Sequence, residues 1–416
     1  MAPAGQANPD SMTSLDFRPE TLRGALRFFH AIQSAGGFWW LRDADHRPFF
    51  CKGVHGVQAP EAALDSDSAS RLRRWGFNAV GSGSDPQLGT EGFPFFATAN
   101  FCRAGALIQR LNARLPDVFD PDWPRMAALH AIEVCAPLAR ERQLIGWVTD
   151  DDPGWAQPQS AAETTSSPPT LLQICLSLEP GFAAYHAAWE FVLALHGGKL
   201  AAVARGWGTP LANREVVREL TRVEQGLASR GYRRDCARWT REFARRYFAG
   251  AAAAVRAADP NHLVLGARAR GPAGESVRAE GVYPAVDVPL IDAGELPLAG
   301  KIPPGPVLVD DFCWAERGFS AAVPAAVGRA RRLTTVEWML RRGRLALERM
   351  ARHPAIVGYA WRQWLDEPGE QPPFARGLVH VNGAEAREHT ELLAEFNARA
   401  ELLRCAANPA AETLLP

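Results

Sequence analysis

No stretch of this sequence is long and apolar enough to span a membrane. Its first residues, Met1–Asp10, have neither the basic start nor the apolar run of a secretory leader. A soluble, cytoplasmic protein is therefore expected, with secretion of a processed form left open. Cysteine is sparse: seven are scattered over 416 residues, with no C-x-x-C and no Cys/His cluster at metal-ligand spacing. The odd count favours a reducing compartment. Net charge is missing too, with 46 basic residues against 46 acidic. That balance removes the field by which nucleic acid or an anionic membrane is drawn in. The bases are nearly all Arg and fall on helix-like stretches, where a solvated face accounts for them. A phosphate loop and a G-x-S-x-G elbow are absent, and Gly81-Ser-Gly-Ser-Asp-Pro86 lacks the third glycine of a dinucleotide fingerprint. No nucleotide, metal or other cofactor is expected, and no internal repeat points to a solenoid.

What is present is a large apolar budget and a clear alternation. Hydrophobic residues make up 47% of the chain, ample for one large core. After a polar tail over 1–17 and a helix-like piece at Thr21–Ser34, Phe38–Phe50 reads as a hairpin. Strand-like and helix-like segments then alternate, as in a parallel sheet with crossover helices. The strands are read at Phe49–Val57, Phe77–Gly83, Phe93–Phe101, Leu144–Asp150, His262–Arg268, Val286–Ile291, Val307–Asp310 and Ile356–Trp364. Eight is the number that closes an α/β barrel. One (β/α)8 barrel over 18–405 is the expected architecture, with a mobile loop at 157–170, a helical excursion at 171–260 and a C-terminal tail at 406–416. In the excursion, Cys236, Trp239, Phe243, Tyr247, Ala251 and Val255 recur at helical spacing, and Asp259-Pro260 stops the helix.

Two strands end in acid. Leu144-Ile-Gly-Trp-Val-Thr-Asp-Asp-Asp-Pro-Gly-Trp155 runs into three carboxylates and a turn, and Pro306-Val-Leu-Val-Asp-Asp-Phe-Cys-Trp314 repeats the design. Barrel enzymes keep their chemistry at the carboxyl ends of the strands. Two facing carboxyl groups are also the recurring apparatus of glycoside cleavage. Adjacent residues on a strand point to opposite faces, so one of Asp151 and Asp152, and one of Asp310 and Asp311, is expected to face the pocket. A plainer reading stays open: the Asp-rich turn serves as a solvated cap.

These stretches, together with Trp75-Gly-Phe-Asn-Ala-Val-Gly81, Asp259–Arg268 and Ile356–Asp366, resemble the (β/α)8 glycosidases that carry an acid/base on strand four and a nucleophile on strand seven. Within that clan the pattern is most similar to the β-agarase family, family fifty. The resemblance runs from about residue 38 to 404. It implies hydrolysis of a β-linked, galactose-containing oligosaccharide, so the expected partner is a glycoside rather than nucleic acid or membrane, and a homo-oligomer is left open. Family members carry Asn-Glu at the end of strand four and Glu on strand seven. The matching positions here are Asp151-Asp152 and Asp311, both glutamates replaced by aspartate.

Shortening each acid withdraws its carboxyl by about 1.5 Å, widening a retaining gap of about 5–5.5 Å to roughly 7–8 Å, which lies inside the inverting window. Inversion, or help from the substrate, is the chemistry this implies. A sugar-binding barrel without turnover, or a scaffold, are the alternatives. Asp152, crowded by Asp150 and Asp151, suits a general acid, with Asp311 or Asp310 ionised as base or nucleophile. Trp155, Trp314, Trp361 and Trp364 lie near strand ends as subsite walls or as core. His55, Asp85 and Asn100 end the first three strands as hydroxyl ligands, and His55 equally suits a buried barrel position. Arg268 is placed to meet an acidic sugar or to pair with the aspartates. Gln363 and Asp366 close the eighth strand, and Trp207 marks a contact in the excursion.

Overall fold

The structure, a computed structural model, describes residues 15–58, 68–151, 153–156, 168–268, 277, 283–292, 305–315, 335–367 and 375–408. Eight parallel strands form its centre: β1 (Cys51–Val54), β2 (Ala79–Val80), β3 (Phe95–Thr98), β4 (Leu144–Asp151), β5 (Leu263–Arg268), β6 (Leu290–Asp292), β7 (Val307–Phe312) and β8 (Ile356–Trp361). They are hydrogen-bonded in the order β5-β4-β3-β2-β1-β8-β7-β6, which is chain order wrapped round a cylinder. The remaining seam is laced just before β6. There the backbone N–H groups of Asp287 and Val288 donate to Val264 O at 2.8 and 3.3 Å, and Asp287 Oδ2 accepts the Val264 N–H at 2.8 Å. This is the (β/α)8 barrel expected from the alternation. Among the described residues no helix is long and apolar enough to cross a membrane.

Strand pleating sends one residue from each strand inward. Cys51, Ala79, Phe96, Ile145, Leu263, Leu290, Leu308 and Val357 share one buried cluster. Phe29, Ala31, Trp39 and Leu41 join it from an N-terminal antiparallel sheet of four strands, Phe17–Arg23, His30–Ser34, Trp39–Arg42 and Pro48–Phe49. The Trp39 N–H donates to Pro354 O, just ahead of β8, so this sheet plugs the amino end of the barrel. The opposite end is left for the site.

The helix expected at Thr21–Ser34 is instead the first hairpin of that sheet, and the expected tail stops short of it, since Phe17 already pairs with Ser34. Gly24 sits at φ +87°, which ends any helix there, and Thr21 Oγ1 accepts the Gln33 N–H across the hairpin at 2.9 Å. A second hairpin that the strand pattern did not single out, Leu107–Arg110 with Ala113–Pro116, follows β3 and pairs with Gly154–Trp155. The crossovers include α1 (Ser68–Arg74) and α2 (Trp123–Val134). The excursion after β4 supplies α3 (Leu171–Leu176), α4 (Ala183–Leu195), α5 (Leu200–Trp207), α6 (Glu215–Arg222) and α7 (Arg230–Ala258). Helix α8 (Thr335–Arg352) precedes β8, and the closing helix is two, α9 (Arg387–Asn397) and α10 (Ala400–Ala407). Most of the loop expected at 157–170, and the chain beyond 408, lie outside the described residues.

The turn from α7 into β5 is held by a buried carboxylate. Asp259 Oδ2 accepts from Trp147 Nε1 and His262 Nδ1, each at 2.7 Å, while Oδ1 accepts the Asn261 N–H at 3.0 Å. Burial alone raises the Asp259 pKa, but the bonds from His262 and Trp147 outweigh it and hold the carboxyl below its ordinary 3.8. A depressed folded value stabilises above pH 3.8, and that contribution is lost as pH falls through the folded value. Asp259→Ala is expected to cost about 2–4 kcal/mol at neutral pH. Urea unfolding at pH 7 and at pH 3 checks this, with the deficit shrinking at the lower pH.

Candidate active site

The acid-ended strands do meet at the carboxyl end of the barrel, and they meet on a cation. Arg268, the last residue of β5, is buried and extends its guanidinium between β4 and β7. Its Nη1 donates to Asp151 Oδ1 at 3.0 Å and its Nη2 to Asp311 Oδ1 at 2.9 Å, while Nε lies 3.4 Å from Asp310 Oδ2. Arg362, just after β8, donates through Nη1 to the other oxygen of Asp311 at 3.1 Å. His55, just after β1, donates from Nε2 to Asp310 Oδ1 at 2.6 Å.

Strand alternation would let only one of Asp310 and Asp311 face this cluster, yet both touch Arg268. The reason is local. Asp311 has φ +52°, a left-handed conformation that Asp tolerates better than most residues, and the β7–β8 register slips between Val309 and Phe312. The β4–β5 register slips likewise between Val148 and Asp151. Bulges at these strand ends re-aim consecutive side chains into one place.

The electrostatics divide the acids. Burial opposes ionisation of Asp310, but the charge and hydrogen bond of His55 and the charge of Arg268 outweigh it, so the carboxyl lies below its ordinary range. For Asp311 burial prevails over Arg268 and Arg362, and neighbouring Asp310 adds to it, so the carboxyl is pushed up. Burial likewise pushes up Asp150, against hydrogen bonds from Tyr247 and Cys102. Burial disfavours the charge of Arg268, yet Asp310, Asp151 and Asp311 together raise its pKa. Of the four described carboxyls, only Asp151 reaches solvent, at 36% side-chain exposure against 1% for Asp311. Asp152 lies outside the described residues.

The remaining candidates scatter. His55 is buried against Asp310, and Gly81 makes room for it, since a Cβ there would lie 2.2 Å from His55 Nδ1. Asp85 is occupied locally, with Oδ1 accepting the Gln87 N–H at 2.9 Å. Asn100, two residues past β3, is half-buried at φ +60° and makes no side-chain cap to the short turn it opens. Gln363 is half-buried in a short strand, Gln363–Leu365, paired with Gly377–Val379. The tryptophans named at strand ends are all buried. Trp155 stacks on Phe248, Trp314 donates to His389 Nδ1, and Trp361 donates to Arg376 O. Trp364 is buried against Trp75, and Trp207 donates to Asp235 inside the excursion. Asp366 is fully used by the Gly377 N–H and His380. Large aromatic faces bury more apolar area in the interior than at a rim, which is why these were drawn in. Two contributors were not singled out from sequence as parts of the site: Arg362, visible only as an Arg inside an aromatic strand end, and Tyr247, which the helical periodicity marked as packing alone. No group of His, Cys, Asp and Glu among the described residues is arranged to hold a metal.

The site is thus a buried arginine that gathers carboxyls from β4 and β7 at the carboxyl end of a parallel barrel. No family model matches the chain. In sequence it is 26% identical over 242 residues to β-agarase A of Vibrio sp. (strain JT0107), an alignment covering 53% of this chain and 23% of that protein. In structure it superposes on an exo-β-agarase with a TM-score of 0.64 at 17% identity, covering 92% of this chain and 66% of that one. It also superposes on BpGH50, with a TM-score of 0.62 at 13% identity, covering 97% and 90%. These likenesses establish the fold, and the chain spans less than a quarter of the length of the curated relative it matches.

Proposed function

We propose that this chain hydrolyses a β-linked, galactose-containing oligosaccharide, with water rather than a side chain attacking the anomeric carbon. The observation that carries the reading is the convergence of Asp151 and Asp311 on Arg268, in a barrel similar to those of agarases. The two hydrogen bonds and the width of one guanidinium leave their bonded oxygens no more than roughly 8 Å apart. That ceiling admits both the retaining spacing of about 5–5.5 Å and the inverting one of roughly 6.5–9.5 Å, so the inverting course rests on the two shortened acids and on the occupied Asp311. Asp311 has both oxygens on arginines, which disfavours a covalent glycosyl-enzyme. In this reading the β4 acids, Asp151 and Asp152, serve the leaving group, and the β7 pair with Arg268 serves the water side.

The occupied Asp311 also favours a second reading, a barrel that binds the sugar without cleaving it. One set of measurements separates them. Aryl β-galactosides and galactan oligosaccharides are offered to the wild type, and proton NMR follows the first-formed anomer. The hydrolase reading expects an inverted product. It also expects Asp151→Asn and Asp152→Asn to lose about 10²–10⁴-fold in kcat, with calorimetric affinity kept. Affinity without turnover in the wild type supports the second reading. A retained anomer, or neither binding nor turnover, overturns the proposal.

A further inference from the structure

The turn that carries the β4 acids is seated at both ends on one helix. At its start, the Tyr247 hydroxyl of α7 donates to Asp150 Oδ2 and lies 3.1 Å from Thr149 Oγ1, with which it shares a second hydrogen bond. At its end, Trp155 stacks on Phe248 of the same helix, with ring centroids 5.7 Å apart and 20° between planes, and meets Tyr247 edge-on. The hairpin after β3 closes the other side. Gly154 and Trp155 pair with Arg114 and Ala113, and a Cβ at Gly154 would lie 2.2 Å from Asn112 O. The second oxygen of Asp150 accepts the Cys102 N–H at 2.9 Å. Tyr247 is wholly buried, and packing alone would be met by Phe at that position. A hydroxyl aimed at the carboxylate beside the acids asks for another explanation.

We propose that Tyr247 is a positioning residue: through Asp150, the long helix of the excursion sets the direction in which Asp151 meets the pocket. The inference rests on the hydrolase reading for its kinetic consequence, but the geometry belongs to the turn itself. It assigns the excursion a task, since α7 then acts on the acid strand as well as covering the barrel. The charged and titratable groups facing Asp150 are Tyr247 from α7, the Cys102 thiol from the turn after β3, and Arg114 from the hairpin.

Tyr247→Phe tests this, because it removes one oxygen and keeps the packing. Without the phenol, Asp150 loses the hydrogen bond that opposes the effect of its burial, so its carboxyl moves further up and less negative charge lies next to Asp151. The alkaline limb of kcat/KM then moves to lower pH, because the acid of the reaction gives up its proton against a smaller like charge. The expected result is a kcat lowered about 10–100-fold, with KM within about twofold and the limb displaced acidward. Asp150→Asn, which keeps an acceptor for the phenol and removes the charge, should move the limb in the same direction, and it serves if Tyr247→Phe does not fold. A kcat loss with an unmoved limb in both variants overturns the proposal. If the wild type cleaves no glycoside, carboxyl-¹³C aspartate labelling reads the same effect without turnover. The Asp150 carboxyl must then titrate at higher pH in Tyr247→Phe than in the wild type, and an unchanged titration overturns the positioning role independently of the hydrolase reading.

Discussion

Arg268→Met is expected to destabilise the protein by about 3–5 kcal/mol at neutral pH, and by much less near pH 4. The guanidinium contacts Asp151, Asp310 and Asp311. Removing it leaves three carboxyls gathered with Arg362 and His55 opposite them among the described residues. In the wild type the two β7 acids act in opposite senses. Asp310 lies below its ordinary 3.8, so its contribution is present above that pH and lost as pH falls through the folded value. Asp311 lies above 3.8, so its contribution is present below that pH and lost as pH rises through the folded value. Arg268 lowers both, so its removal moves both upward and adds to the loss on the alkaline side. The deficit of the variant should therefore grow as pH rises from about 4 to 8. Urea midpoints of the two proteins at pH 4.5 and 8 measure it, and a deficit equal at both would sink the account. Arg268→Lys should fall between, since a single ammonium cannot reach two carboxylates along separate directions as the planar fork does.

That cluster was half legible in the residues themselves. Both acid-ended strands stand out because an apolar run stops at consecutive carboxylates, and the alternating elements order all eight strands correctly round the barrel. Pairing of Arg268 with the aspartates was likewise one of two readings open for it. The convergence of both Asp310 and Asp311 was not legible. The two-residue period assumes an extended backbone, and the left-handed φ of Asp311 breaks that assumption at one residue. Composition misled where burial decides. Trp155, Trp314 and Trp361 end strands, yet each turns inward because the interior offers it both an apolar wall and, for Trp314 and Trp361, an acceptor for the indole N–H. The N-terminal hairpin was read as a helix because Thr21–Ser34 has apolar residues at both periods, and only the glycine turn and the pairing with Trp39–Arg42 settle which is used.

Arg404→Met is expected to cost a similar amount, about 3–5 kcal/mol, with only a small dependence on pH between 5 and 8, which comes from His353, held below its ordinary pKa by burial and by the charge of Arg404. Arg404 lies on α10, is wholly buried, and has no carboxylate partner among the described residues. Its guanidinium serves carbonyl groups instead. Nη1 donates to Ala351 O at 3.1 Å and His353 O at 2.9 Å, and Nη2 to Pro354 O at 3.2 Å and to Trp39 O. The rings of Phe38, Trp40 and Phe50 surround it with centroids 5.1, 5.0 and 5.5 Å away. One side chain thus caps the end of α8, binds the segment entering β8 and anchors the N-terminal sheet beneath the barrel. Methionine fills much of the volume and supplies no donor, so four carbonyl acceptors lose a partner, those of Ala351 and Trp39 within the interior. Burial pushes the guanidinium down to about 9, so it stays charged at pH 7. The unfolded chain binds that proton more tightly, so wild-type stability rises with pH only above about 9, and nothing titrates at Arg404 below it. Thermal unfolding at pH 5 and pH 8 should give nearly the same fall in Tm, on the order of 5–10 °C, slightly smaller at pH 5 where the loss of the Arg404 charge lets His353 protonate more easily. A loss that grew with pH as steeply as for Arg268→Met would mean that a carboxylate rather than this set of carbonyls is what Arg404 holds.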